Sequence, residues 1–170
     1  DPALGWAALA AIPVLLGLVL WLSAALSPLL GWALGLVAYW GFLGGALWAR
    51  ADPHWLAEWL WARSPGRLVT PLLALPAIGL GAVTMRALGQ DPLPAHLLWA
   101  AAIAAVVDAT LEELFWRGAL IPEPTPRSAA LSLGLFTLAH AIWLGASGLR
   151  TGAPPGTALA AALALGGVWT

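Results

Sequence analysis

Residues 3–25, ALGWAALAAIPVLLGLVLWLSAA, contain no charged residue and decide the class of fold. A transmembrane helix needs about 20 consecutive apolar residues; this run is long enough, with a kink expected at Pro13. The 170-residue chain shares this character, being 61% hydrophobic and 9% charged with a mean hydropathy of +0.87, whereas soluble domains carry about 25% charged residues. Because one small core cannot bury so much apolar surface, we predict that lipid surrounds much of the protein.

Further apolar runs divide the rest of the chain. After a tight turn predicted at Ser27 and Pro28, a second span is predicted over residues 29–49. Residues 50–67 carry three arginines and three tryptophans, which predicts a loop with a short interfacial helix. The remaining predicted spans cover residues 68–85, 97–120 and 129–147, and a sixth begins at Thr157. Runs of this length without alternation indicate helices. We therefore predict an all-α polytopic transmembrane helix bundle of about six spans, forming a single integral membrane domain over residues 1–170, with a final span expected beyond it.

The composition limits the classes of partner and chemistry. The chain has no cysteine, which excludes disulfides and thiolate chemistry, and its net charge of −1 gives no basis for nucleic-acid binding. Twelve tryptophans lie mostly near the ends of apolar runs, where lipid headgroups are expected. Loops on the N-terminal side carry four arginines against two opposite, which predicts a cytoplasmic N-terminal side. Lysine and asparagine are absent, a bias that indicates a bacterium with a GC-rich genome and hence its cytoplasmic (inner) membrane.

Charged residues are concentrated in the predicted span 97–120, where a charge is costly and indicates function. Glu113 and Arg117 are four residues apart and are predicted to form an ion pair. Glu112 is rotated by about 100° from Glu113 on a helix and has no basic residue at the equivalent spacing. Asp108 lies four residues before Glu112 and therefore on the same face. A free carboxylate beside a second ionisable group is suited to general-base chemistry.

The next predicted span contains a histidine, His140, and Ser128 is predicted as its N-cap. A helix rises about 1.5 Å per residue, which places Glu112 about 12 Å from the shared turn and His140 about 18 Å from it, level with Asp108. Neighbouring spans that run in opposite directions would bring these three side chains within one helical turn of each other, provided that their faces match. We predict a cluster of ionisable groups at membrane depth.

The segments EELFWRG, at 112–118, and FTLAH, at 136–140, resemble paired motifs of the CPBP family of CAAX-processing and bacteriocin-processing (Abi) intramembrane proteases. That family carries Glu-Glu-x-x-x-Arg on one span and Phe-x-x-x-His on the next, and the resemblance covers residues 97–147. It implies a glutamate-dependent intramembrane endopeptidase without a cofactor, in which Glu112 and His140 activate water. Glu113 and Arg117 would then form an architectural pair, and Phe136 would pack beside the site.

The resemblance also implies a third motif, a histidine followed four residues later by Asn or Asp, which stabilises the oxyanion. No histidine follows His140 in this sequence, so we expect that motif on the further span. Asp108 is outside the family pattern, and we hypothesise that it orients the imidazole of His140. The implied partners are membrane lipid and a protein or peptide substrate. Within the resemblance, that substrate is a prenylated C-terminal peptide, a bacteriocin leader or a C-terminal sorting segment of an exported protein, and the bacterial composition makes the prenylated peptide the less favoured of the three.

Other functions are compatible with parts of this pattern. A catalytic zinc would need about three protein ligands, and His140 alone supplies a histidine within a span, so zinc is disfavoured. Serine proteolysis has less support, because no Gly-x-Ser-x-Gly motif is present. The non-enzyme alternative is a membrane transporter or scaffold that relays protons through the acidic and histidine groups, or an inactive protease-like partner. A relay requires ionisable groups at several depths, whereas here they lie on two consecutive spans.

Overall fold

The computed structural model describes residues 2–50, 94–121 and 125–146, with isolated positions between residues 54 and 90. The helices are α1, Pro2–Ala25; α2, Pro28–Arg50; α3, Ala95–Glu112; and α4, Pro126–Ala146; a π-helical segment, Glu113–Ala119, continues α3. No strand occurs in this part of the chain, which confirms the all-α prediction.

Two of these helices are long and apolar enough to cross a membrane, over Ala3–Ala25 and Pro28–Arg50, and they indicate a membrane protein. The count of six spans is not confirmed. The span predicted from Thr157, and most of the span 68–85 and of the interfacial segment 50–67, lie outside the described residues.

The first two helices form a hairpin whose turn was predicted. Ser27 caps α2, because its hydroxyl oxygen accepts a hydrogen bond from the backbone N–H of Leu30 at 3.2 Å. Pro28 occupies the first helical position, where a residue without an N–H is tolerated. Pro13 lies inside α1, which continues through it as a single helix. The start of α2 is therefore marked by one capping serine and one proline.

A stripe of every fourth residue on α2 faces the interior of the protein. Its buried members are Gly31, Gly35, Tyr39, Leu43 and Leu47. The absence of a side chain at Gly31 lets α2 approach α1 closely at Ser23, as small residues commonly do between membrane helices. Helix α1 also packs against α4, while α2 contacts α3 and the π-helical segment. Large apolar side chains on the outer faces, such as Trp6, Trp99 and Ile103, remain exposed, which is appropriate for a surface in contact with lipid.

The start of α4 differs from the prediction that Ser128 is its N-cap. The helix begins at Pro126, and Thr125 is the cap. Its hydroxyl accepts from the backbone N–H of Ser128 at 3.2 Å, while the Ser128 hydroxyl accepts from the N–H of Thr125 at 3.0 Å. This reciprocal arrangement is a capping box with serine in the third helical position. The prediction was wrong because Pro126 was assigned to the turn, although proline is favoured in the first turn of a helix.

The π-helical segment is the second departure from the predicted continuous span 97–120. The backbone N–H of Leu120 donates to the carbonyl of Phe115 at 3.0 Å, five residues back, which is the hydrogen-bond pattern of a π-helix. More residues per turn means a smaller rotation per residue, so Leu114, Phe115 and Trp116 are all buried in succession. Phe115 makes edge-to-face contacts with Trp116 and with Phe42 of α2, at ring separations of 4.9 and 5.6 Å. This aromatic core holds the end of α3 against α2 and α4.

Candidate active site

Glu112 is the last residue of α3, immediately before the π-helical segment. Its side chain is only 13% exposed. The Oε1 atom accepts a hydrogen bond from the hydroxyl of Tyr39 at 2.7 Å, and the Nε2 atom of His140 lies 4.0 Å from the same oxygen. We call Glu112 and His140 together the acid–histidine site. The structure thus brings together, from α3 and α4, the two residues that the motifs predicted to be catalytic.

His140 has its imidazole held by its own helix. Its Nδ1 lies 3.0 Å from the carbonyl oxygen of Phe136, and because a carbonyl can only accept, Nδ1 must carry the proton. In the neutral ring, Nε2 is then an acceptor directed toward Glu112. The 4.0 Å separation exceeds a direct hydrogen bond, but a water molecule between the two atoms would be within reach of both.

The position of the His140 imidazole along the helix axis depends on the direction of its side chain as well as on the rise of the backbone. Side chains tilt toward the N-terminus of their own helix, and the contact with the Phe136 carbonyl shows that the imidazole of His140 leans back in that direction. Backbone counting had placed His140 level with Asp108. The tilt brings the ring to Glu112 instead, which explains how residues from different calculated depths meet.

Phe136 packs between the acid–histidine site and the adjacent ion pair. Its ring centroid lies 4.2 Å from that of His140 and 6.3 Å from that of Trp116. The guanidinium carbon of Arg117 lies 6.0 Å from the ring centroid, at the outer limit of a cation–π contact. The phenyl ring therefore fixes one face of the imidazole and separates it from the arginine.

Glu113 and Arg117 form the ion pair that their spacing predicted, through Oε1 and a terminal guanidinium nitrogen. The two ends differ in exposure: the Arg117 side chain is 14% exposed and that of Glu113 is 43% exposed. The adjacent glutamates therefore have different surroundings. Glu112 faces the interior and the histidine, whereas Glu113 balances the arginine at a partly open position.

Asp108 has a different neighbour from the one hypothesised. Its Oδ1 accepts from the indole N–H of Trp40 at 2.7 Å. In the described part of the chain, the imidazole of His140 is oriented by the Phe136 carbonyl. A role for Asp108 in orienting that ring stays a prediction.

Three site residues, Tyr39, Trp116 and Ser132, were missed by reasoning from the motifs. Tyr39 of α2 donates to Glu112 and accepts from the indole N–H of Trp116 at 3.0 Å. Ser132 of α4 donates to the backbone carbonyl of Trp116 and so ties α4 to the π-helical segment. One signal for Tyr39 was available: it is the single tyrosine of the chain and lies in the middle of an apolar span, where a buried hydroxyl requires a partner.

No group of three or more His, Asp or Glu side chains that could hold a metal ion occurs among the described residues. Within the described residues, the acid–histidine site contains the Glu112 carboxylate and the His140 imidazole, with Tyr39 bonded to the first and the Phe136 ring packed on the second.

Comparison with known protein families gives a match to the C-terminal part of the chain. Residues 94–170 match the family described as Rce1-like, type II CAAX prenyl endopeptidase. No curated protein and no solved structure matches the chain. The matched segment contains both motifs, EELFWRG and FTLAH, from which the resemblance was inferred. Residues 94–170 are therefore similar to the Rce1-like family of type II CAAX prenyl endopeptidases.

Proposed function

We propose that this protein is a glutamate-dependent intramembrane endopeptidase in which Glu112 and His140 activate a water molecule. The observation that carries the proposal is the acid–histidine site: Glu112 Oε1 and His140 Nε2 lie 4.0 Å apart, on α3 and α4. The family match supports the class of reaction. The burial of Glu112 supports its role, because a carboxylate is retained inside a membrane protein chiefly where it has a function.

The proposed reaction begins with water held between the carboxylate and the imidazole. Glu112 accepts one proton, and the resulting hydroxide attacks the carbonyl carbon of the scissile peptide bond. The tetrahedral intermediate collapses when the carbon–nitrogen bond breaks and the proton on Glu112 passes to the leaving amine. His140 accepts a hydrogen bond from the water through Nε2 and fixes its direction of attack. Positioned acid–base groups of this type contribute about 10²–10⁴-fold in rate.

The neighbouring residues have supporting roles in this proposal. Glu113 and Arg117 stabilise the end of α3 next to the site, and Phe136 holds the imidazole plane. No metal or other cofactor enters the reaction. We place the protein in the cytoplasmic membrane of a bacterium as a multi-pass protein. Its proposed substrate is the leader or C-terminal sorting segment of an exported or membrane-associated protein.

The experiment that tests the proposal compares cells producing the full-length wild-type protein with cells producing Glu112→Gln. Mass spectrometry of N- and C-terminal peptides of exported and membrane proteins would measure processing. Glu58→Gln is the matched control, because it makes the same chemical change at an exposed position. We expect a defined set of proteins to accumulate unprocessed only in Glu112→Gln, with the variant present at the normal level. Unchanged processing with a stable variant would overturn the proposal and favour a transporter or scaffold.

A further inference from the structure

The hydrogen-bonded chain from Trp116 through Tyr39 to Glu112 has only one possible direction. An indole N–H can only donate, so the phenol oxygen of Tyr39 accepts from Trp116 at 3.0 Å. The single hydroxyl proton of Tyr39 then points to Glu112 Oε1, at 2.7 Å. The Tyr39 hydroxyl is therefore a donor of fixed direction, and Glu112 accepts its proton at Oε1.

We infer that Tyr39 is a positioning residue for Glu112, held in turn by Trp116, and that it fixes the orientation of the carboxylate toward the water between Oε1 and His140 Nε2. The inference rests on the proposed function. Oε1 retains a second lone pair when it accepts the Tyr39 proton, so it can also accept a hydrogen bond from the water between it and His140 Nε2. Tyr39 and Trp116 touch neither the water nor the scissile bond in this scheme.

Burial makes this arrangement rigid. Tyr39 and Trp116 are each only 2% exposed, so water does not compete for their polar atoms. Hydrogen bonds in such surroundings reinforce one another along a chain. Trp116 is fixed independently, because the Ser132 hydroxyl donates to its backbone carbonyl and its ring packs edge-to-face on Phe115. The orientation of Glu112 is therefore determined by three elements, α2, α4 and the π-helical segment.

The test uses the full-length protein in detergent micelles and an internally quenched peptide that spans a cleavage site found by the terminal-peptide comparison. Tyr39→Phe removes the hydroxyl and retains the ring. We expect kcat to fall by about 10- to 100-fold, as for loss of other groups that orient a reactive ligand, with little change in KM. Trp116→Phe should lower kcat by a smaller factor. The double variant should match Tyr39→Phe alone, because residues in one network act non-additively.

Two further measurements separate positioning from a structural role. Thr110→Val is the control: it removes an exposed hydroxyl on α3 that bonds only the Val106 carbonyl, and kcat should not change. Infrared difference spectra of wild type against Glu112→Gln identify the Glu112 carboxylate bands, which Tyr39→Phe should shift.

The outcomes distinguish the two proposals. Retained cleavage by Glu112→Gln overturns the proposed function and the positioning role together. If Glu112→Gln is inactive but Tyr39→Phe keeps wild-type kcat and an unshifted carboxylate band, the positioning role is wrong and the proposed function stands. Equal losses of kcat in Tyr39→Phe and Thr110→Val would likewise overturn it, since the effect would then be one of general stability.

Discussion

The adjacent glutamates Glu112 and Glu113 should give opposite phenotypes when each is changed to glutamine. Removing one partner of a buried ion pair costs about 3–5 kcal/mol, and an exposed pair contributes about 0–1 kcal/mol. The Arg117 side chain is 14% exposed and that of Glu113 is 43% exposed, which places this pair between the two limits. We therefore expect Glu113→Gln to lower the free energy of unfolding by about 1–3 kcal/mol, with cleavage retained by the folded fraction.

Glu112→Gln should instead leave the stability of the protein nearly unchanged and strongly reduce cleavage. The amide oxygen of glutamine can still accept the hydrogen bond that Tyr39 donates, so we expect a change in unfolding free energy of less than about 1 kcal/mol. The amide cannot take a proton from water, so cleavage should fall by about 10²–10⁴-fold.

The assay pairs detergent-denaturation curves with cleavage rates measured well below the unfolding transition. A third variant, Glu113→Gln with Arg117→Met, is the control, because replacing both members of a pair by neutral groups often recovers the loss caused by replacing one. If Glu113→Gln abolishes cleavage while remaining folded, and Glu112→Gln keeps it, the roles assigned to the two glutamates are reversed and the reasoning from their surroundings fails.

Three further variants test the neighbouring contacts. Asp108→Asn retains an acceptor for the Trp40 indole but removes the charge; if Asp108 orients His140, cleavage should fall by about tenfold or more, as is typical of an orienting group, and a rate near wild type would refute that hypothesis. Ser132→Ala removes the donor to the buried Trp116 carbonyl and should lower the free energy of unfolding by about 1–3 kcal/mol, seen as a lower denaturation midpoint. Phe115→Leu removes two edge-to-face ring pairs, with Phe42 and Trp116, worth about 0.5–1.5 kcal/mol each. Thermal unfolding should show a loss of unfolding free energy near the sum of the two; an unchanged melting temperature would contradict this expectation.

The sequence was sufficient to predict the helices that rest on local signals. The first two predicted spans match α1 and α2 to within one residue at each end, because Ser27 and Pro28 provide a cap and a helix start that can be recognised without tertiary information. The Glu113–Arg117 pair was also local, since spacing along one helix determines it. The start of α4 also depends on a local signal, but the prediction took Ser128 rather than Thr125 as the N-cap.

Features that depend on packing between helices were not predictable in the same way. The π-helical segment has no distinct composition; it allows three large consecutive side chains, Leu114 to Trp116, to be buried against α2 and α4. The contact between Glu112 and His140 was predicted only conditionally, because helix rise gives depth but not the face that each helix presents. The tilt of side chains toward the helix N-terminus explains why His140 lies next to Glu112, although backbone counting placed it level with Asp108.

The motifs contain the reactive groups, whereas much of what stabilises them comes from elsewhere in the chain. Glu112 and Asp108 accept hydrogen bonds from two consecutive aromatic residues of α2, Tyr39 and Trp40. Both donors precede the segment that matches the family, which begins at residue 94. A carboxylate in a poorly hydrated interior requires a donor, so a helix that carries neither motif is needed for the acids to be held there. The acid–histidine site is thus a property of the packed bundle, and substitutions on α2 should affect it as directly as substitutions within the motifs.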